Sequence, residues 1–179
     1  MAIEKHATFH CHAIVISTDR TVFDRGVESD LLKLQKSISI DRPLDIVFSF
    51  LADFENASKW QRGVVEAKKL TEGPTGQGTK FKETFQIRKK SFSAFCTITA
   101  FEPNHKVAFE AKSDGPMEYG GVFSFEGEGT GTKLRFDGGV RLKGIYRLLG
   151  LFMKAEIEKE MVEEMKKIKD ALEGRQKDI

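Results

Sequence analysis

From Lys33 onward the chain carries a clear pattern of apolar and polar positions. Leu34, Ile38 and Ile40 alternate with polar residues and predict a first strand, ended by Asp41-Arg42-Pro43. Helix-start chemistry follows: Asp41 can cap, Pro43 suits a first turn, Asp45 sits near the positive helix end, and Val47, Phe48 and Leu51 form an apolar stripe. A helix over about 43–53 results, with Asn56 offering a second cap before a short turn that contains Ser58, Lys59 and Trp60. Six further strands are predicted near 63–70, 78–88, 91–101, 105–112, 117–126 and 132–140, separated by turn-forming segments such as Gly73-Pro74, Pro103-Asn104 and Gly127 to Gly131. After Val140 the period becomes helical and holds to about Leu172, placing Leu149, Phe152, Met153, Ile157, Met161, Met165, Ile168 and Leu172 on one stripe. Such a helix is about 45 Å long at about 1.5 Å per residue, and Gly174 is a fitting stop.

Hairpin register then assigns side chains to faces. A two-residue Lys89-Lys90 turn would set Ile87 opposite Phe92, Phe85 opposite Ala94, Glu83 opposite Cys96 and Phe81 opposite Ile98. A Pro103-Asn104 tip would pair Ala100 with Val107, Ile98 with Phe109 and Cys96 with Ala111. Both hairpins place apolar or small residues on one face, while Lys80, Lys82, Gln86, Arg88, Ser93, Thr97, Thr99, Glu110 and Lys112 share the other. Tyr119, Phe123, Phe125, Leu134 and Phe136 extend the apolar face, and the long helix is the element available to cover it. Glu83 is the exception: a carboxylate directed into an apolar interior is costly to ionise, so its pKa should rise unless it is paired or reaches water.

Composition narrows the picture further. Fifteen Phe against two Tyr and one Trp imply a strongly aromatic interior. A formal net charge of +2, with 29 basic and 27 acidic residues spread along the chain, leaves no electrostatic footprint for nucleic acid or anionic membrane. No apolar run approaches the roughly 20 residues of a membrane span. Cys11 and Cys96 lie far apart with no export signal ahead of them, which reads as free thiols in a cytoplasmic protein.

Several short segments carry a likeness to a known family. They are Ile40 to Pro43 leading into Val47 to Asp53, then Trp60, the run Gly73 to Phe81, Phe101-Glu102-Pro103, and Gly131 to Leu134. In this order they resemble the SRPBCC, or START-like, superfamily, and within it the polyketide cyclase/dehydrase and lipid-transport family. The resemblance implies an α+β helix-grip fold: a curved antiparallel sheet of about seven strands packed on a long C-terminal helix, with two short helices after the first strand. The domain would span 33–174, preceded by an extension over 1–32 and followed by a tail over 175–179. Members include carriers of lipids and secondary metabolites and aromatase/cyclases acting on polyketides.

The first expectation is therefore a protein that binds or carries a small hydrophobic molecule between sheet and helix. Its lining would comprise Phe81, Glu83, Phe85, Cys96, Ile98, Phe109, Tyr119 and Phe123 from the sheet, with Leu149, Met153 and Ile157 from the helix. A cyclase-type enzyme would instead use Glu83 as acid or base. A third possibility is an interaction module docking through the apolar helix start, Ile145 to Met153. His6, His10, Cys11 and His12 have metal-ligating side chains but match no established spacing, so no metal and no cofactor are assigned. Cys96, on the apolar face, reads as an inert thiol. Tyr119 and Tyr146 could each present a hydroxyl to a bound molecule.

Overall fold

The computed structural model describes residues 31–174, apart from Arg88 and the side chains of 149–151. The expected extension, including the histidine cluster and Cys11, therefore lies outside the described residues except at its end. Seven strands form one antiparallel sheet: β1 (Leu31–Ile40), β2 (Val64–Lys69), β3 (Lys80–Ile87), β4 (Lys90–Glu102), β5 (Lys106–Ser113), β6 (Met117–Glu128) and β7 (Gly131–Leu142). Their order is β1-β7-β6-β5-β4-β3-β2, so the first two strands occupy opposite edges. The connection between them carries helix α1 (Leu44–Ala52) and a 3-10 helix (Phe54–Lys59), and the chain ends in helix α2 (Tyr146–Glu173). This is the helix-grip architecture.

Helix capping departs from expectation in two places. Pro43, not Asp41, is the N-cap of α1, and no side chain bonds the first turn. Asp41 instead donates its backbone N–H to Glu173 Oε1 at 2.8 Å, helping to tie the end of α2 to the start of α1. Asp53, not Asn56, caps the 3-10 helix by accepting from the Glu55 N–H, while Asn56 donates its side-chain amide to the Phe50 carbonyl.

Strand register is corrected in an instructive way. Ile87 pairs with Lys90, so Phe85 faces Phe92, Glu83 faces Ala94 and Phe81 faces Cys96, each two residues from the expected partner. The face assignment survives because side chains alternate with a period of two, and a slip of two preserves parity. In the next hairpin Cys96 pairs with Ala111 and Ile98 with Phe109 as expected, but a bulge between Ile98 and Ala100 moves Ala100 opposite Ala108. The extra residue brings Phe101 opposite Val107, where its ring meets Phe48 edge-on at 5.4 Å.

The core is unevenly distributed. Val47, Phe48, Leu51 and Phe54 pack against Phe81, Phe109 and Phe125, and the last turns of α2 add Met165, Ile168 and Leu172, all buried. Arg42 clamps this end by donating from Nε to the Leu172 carbonyl at 2.6 Å, and Gly174 terminates α2 in the left-handed region at φ 72°. The helix starts at Tyr146, later than the apolar period suggests, because β7 continues to Leu142. Its first half does not lie on the sheet: Phe152, expected on the covering stripe, is 85% exposed.

Candidate functional site

The space beneath the first half of α2 is a cavity of about 1840 Å³. Phe85, Phe109, Tyr119, Phe123 and Phe136 line it from the sheet, and Met153, Ile157, Met161 and Met165 from the helix. Gly120 and Gly139, paired across β6 and β7, supply wall without side chains. The lining runs out to the exposed residues Lys89, Lys90, Gly144, Ile145 and Tyr146, so the cavity opens to solvent where α2 begins.

At the inner wall the Tyr119 hydroxyl donates to Glu83 Oε2. Register explains how β6 reaches β3: the intervening positions on this face are Ala94 and Cys96 on β4 and Ala111 on β5, so the phenol crosses a trough of small side chains. Glu83 is fully buried, and burial pushes its pKa up to about 7 against the opposing effect of the Tyr119 hydrogen bond, with the charge of Glu164 adding to the rise. Its Oε1 has no hydrogen-bond partner among the described residues. Burial raises the Tyr119 phenol well above its ordinary value, the neighbouring Glu83 charge reinforces this, and a Gln61 hydrogen bond acts in the opposite direction. Burial likewise drives the Cys96 thiol upward, leaving it protonated and unreactive.

A second polar wall joins the loop after the 3-10 helix to α2. The Arg62 backbone N–H donates to Glu164 Oε1 at 2.9 Å, and the Arg62 guanidinium meets Glu160 at 2.5 Å and Glu156 at 4.0 Å. Burial is the first cause of a Glu164 pKa raised to about 7, with the Arg62 N–H opposing it. Trp60 precedes this loop and lines the cavity, its ring edge-on to Phe123 at 5.9 Å. The buried indole N–H finds no protein acceptor among the described residues.

The model of the family described as polyketide cyclase / dehydrase and lipid transport matches residues 32–173. The chain belongs to this family. Among solved structures, a conserved protein from Geobacillus kaustophilus is similar at 20% identity and a TM-score of 0.67, over 79% of this chain and 95% of the other. The Zhui aromatase/cyclase from Streptomyces sp. R1128 aligns at 14% identity and a TM-score of 0.61, over 80% of this chain and 94% of its own. A START superfamily protein from Mycobacterium smegmatis gives 19% identity and a TM-score of 0.60, over 80% and 95% of the respective chains. At these identities the likeness is one of fold. No curated protein is a significant match.

Within this polyketide cyclase / dehydrase and lipid transport domain, the residues singled out from sequence divide into three groups. Phe85, Phe109, Tyr119, Phe123, Met153 and Ile157 stand on the cavity wall, as does Tyr146 at its mouth. Phe81, Cys96 and Ile98 are buried behind the wall and do not line the cavity, and Glu83 touches it through Tyr119. The Leu149 side chain lies outside those described. Gln61, Arg62 and Glu164 were not anticipated: they are polar residues on a loop and on a charged stretch of helix, and no periodicity directs them inward. No group of three metal-ligating side chains is present among the described residues, and no described helix is long and apolar enough to cross a membrane.

Proposed function

We propose that this protein binds and carries a small hydrophobic molecule, a lipid or polyketide-like metabolite, in the cavity between sheet and helix. The observation that carries the reading is the cavity itself: its roughly 1840 Å³, mouth included, leaves room for an occupant of the size held in the roughly 300–1,000 Å³ sites of drug-sized molecules. Aromatic and methionine side chains dominate its inner wall, favouring an apolar occupant. About 300 Å² of buried apolar ligand surface would contribute about 7 kcal/mol before the cost of immobilising the ligand. The unpaired Trp60 N–H and the Tyr119 hydroxyl supply orientation, since a ligand acceptor at the indole would satisfy a buried donor worth about 1–3 kcal/mol.

Native mass spectrometry of the purified protein, followed by organic extraction, tests the reading. A co-purifying apolar species, or quenching of the single tryptophan on titration with an apolar probe, is the expected result. Absence of both would refute it.

The contact of Glu83 with Tyr119 favours a second reading, a cyclase-type enzyme. A carboxyl with a pKa of about 7 can hold or release a proton near neutrality, and the Tyr119 hydroxyl would relay it to a substrate in the cavity. Glu83→Gln separates the two: a carrier keeps its affinity with altered ligand preference, whereas an enzyme loses turnover.

A further inference from the structure

The start of α2 presents apolar side chains to solvent as well as to the cavity. Ile145, Leu148 and Phe152, at helical spacing on one face, are 72%, 77% and 85% exposed. None of the three is needed to close the core, and Leu148 and Phe152 do not line the cavity. Across the mouth, at the tip of the β3–β4 hairpin, Ile87 is 47% exposed beside Lys89 and Lys90. A helix segment that is apolar on both its inner and outer faces requires a second apolar medium.

Charge indicates which medium. From Gly138 to Ala155 the chain carries Arg141, Lys143, Arg147 and Lys154 and not one acidic residue. Arg141 is paired with Glu118 at 3.9 Å and Lys154 with Glu158 at 3.8 Å, so the excess positive charge of the rim, on a chain that is only +2 overall, centres on the exposed Lys89 and Lys90. The acidic residues of the cavity wall on α2, Glu156, Glu160 and Glu164, lie farther along the helix and are engaged by Arg62. Asp114, in the turn after β5, accepts from the Ser93 N–H. A second copy packed face to face on this surface would bring like charges together, whereas an anionic bilayer offers both an apolar layer and opposite charge.

We propose that the cavity mouth is a membrane-docking surface, in which Ile145, Leu148 and Phe152 enter the headgroup–acyl boundary of an anionic bilayer while Lys89 and Lys90 meet its phosphates and carboxylates. Docking in this orientation sets the cavity mouth against the lipid, so an apolar cargo would pass between membrane and protein without crossing water. The docking does not depend on what the cavity holds.

Co-sedimentation of the full chain with vesicles tests this. Binding is expected to phosphatidylcholine vesicles that contain phosphatidylserine, weakening with salt, and to be absent with pure phosphatidylcholine. Leu148→Ser/Phe152→Ser should abolish it with an unchanged circular dichroism spectrum, since both side chains already face water. Lys89→Glu/Lys90→Glu should lower the partition coefficient about twentyfold or more, roughly fivefold for each lysine charge. No binding by the full chain, equal binding to neutral vesicles, or binding unaffected by the serine substitutions would each overturn the proposal. So would a dimer, measured by sedimentation velocity without vesicles, that dissociates in the serine variant, because the patch would then belong to a second copy.

Discussion

Replacing Glu83 by Gln should make stability less sensitive to pH, and the size of the change follows from burial. The ordinary value for a glutamate here is 4.5, and in the folded protein burial raises it to about 7. Between those two values the folded chain keeps the Glu83 proton while the unfolded chain has lost it. The folded state then binds more protons, so stability falls as pH rises, and the loss is complete above about 7. At about 1.4 kcal/mol per pH unit, the gap corresponds to about 3 kcal/mol. The amide of Glu83→Gln retains an acceptor for the Tyr119 hydroxyl but leaves a buried donor unpaired, a pH-independent penalty of about 1–3 kcal/mol. The informative quantity is therefore the difference between variant and parent, measured by urea denaturation near pH 4 and again near pH 8. That difference should move in favour of the variant by about 3 kcal/mol. Glu164, also raised to about 7, contributes its own titration to both proteins, and because its charge adds to the rise at Glu83 the subtraction retains the coupling between the two carboxylates as part of the measured difference. A difference that does not change between the two pH values would refute the claim that Glu83 is ionised against the resistance of an apolar interior.

Three further outcomes follow from particular contacts. Tyr119→Phe removes the hydrogen bond that favours the ionised form, so the Glu83 titration followed by its infrared carboxyl band should move above 7. Ile168→Ala, in the packed half of α2, should cost about 2–5 kcal/mol in chemical denaturation, while Phe152→Ala, at the exposed start, should stay within about 0.5 kcal/mol; equal costs would mean that the helix packs along its whole length. Gly138→Ala would set a Cβ 2.3 Å from the Gly120 carbonyl oxygen and 2.5 Å from the Phe136 ring. Backbone cannot yield there as a flexible side chain can, so a loss of roughly 3 kcal/mol or more is expected, read as a lowered denaturation midpoint.

Much of the architecture was legible because it depends on local periodicity. Alternation along β3, β4 and β5 placed Phe81, Glu83, Phe85, Ile98 and Phe109 on one face, the helical period after Val140 gave the terminal helix, and the family resemblance implied how sheet and helix come together. Register was less accessible. The β3–β4 turn sits closer to β3 than Lys89-Lys90 suggested, and nothing near Thr99 announces the bulge that turns Phe101 inward. A turn and a bulge are decided by the pairing of two strands, which no single segment encodes.

The site divides along the same line. Sequence alone determined that Glu83 points to the apolar side and that its ionisation would be resisted, since parity and solvation are properties of one strand. Only the tertiary structure decided that Tyr119 reaches it across Ala94, Cys96 and Ala111, that Arg62 and Glu164 close a second wall, and that α2 packs at its end while leaving its start over a void. Those results depend on distances between elements remote in the chain. Such distances are set by how the sheet curves and where the helix is clamped, and hydrophobic periodicity does not record either.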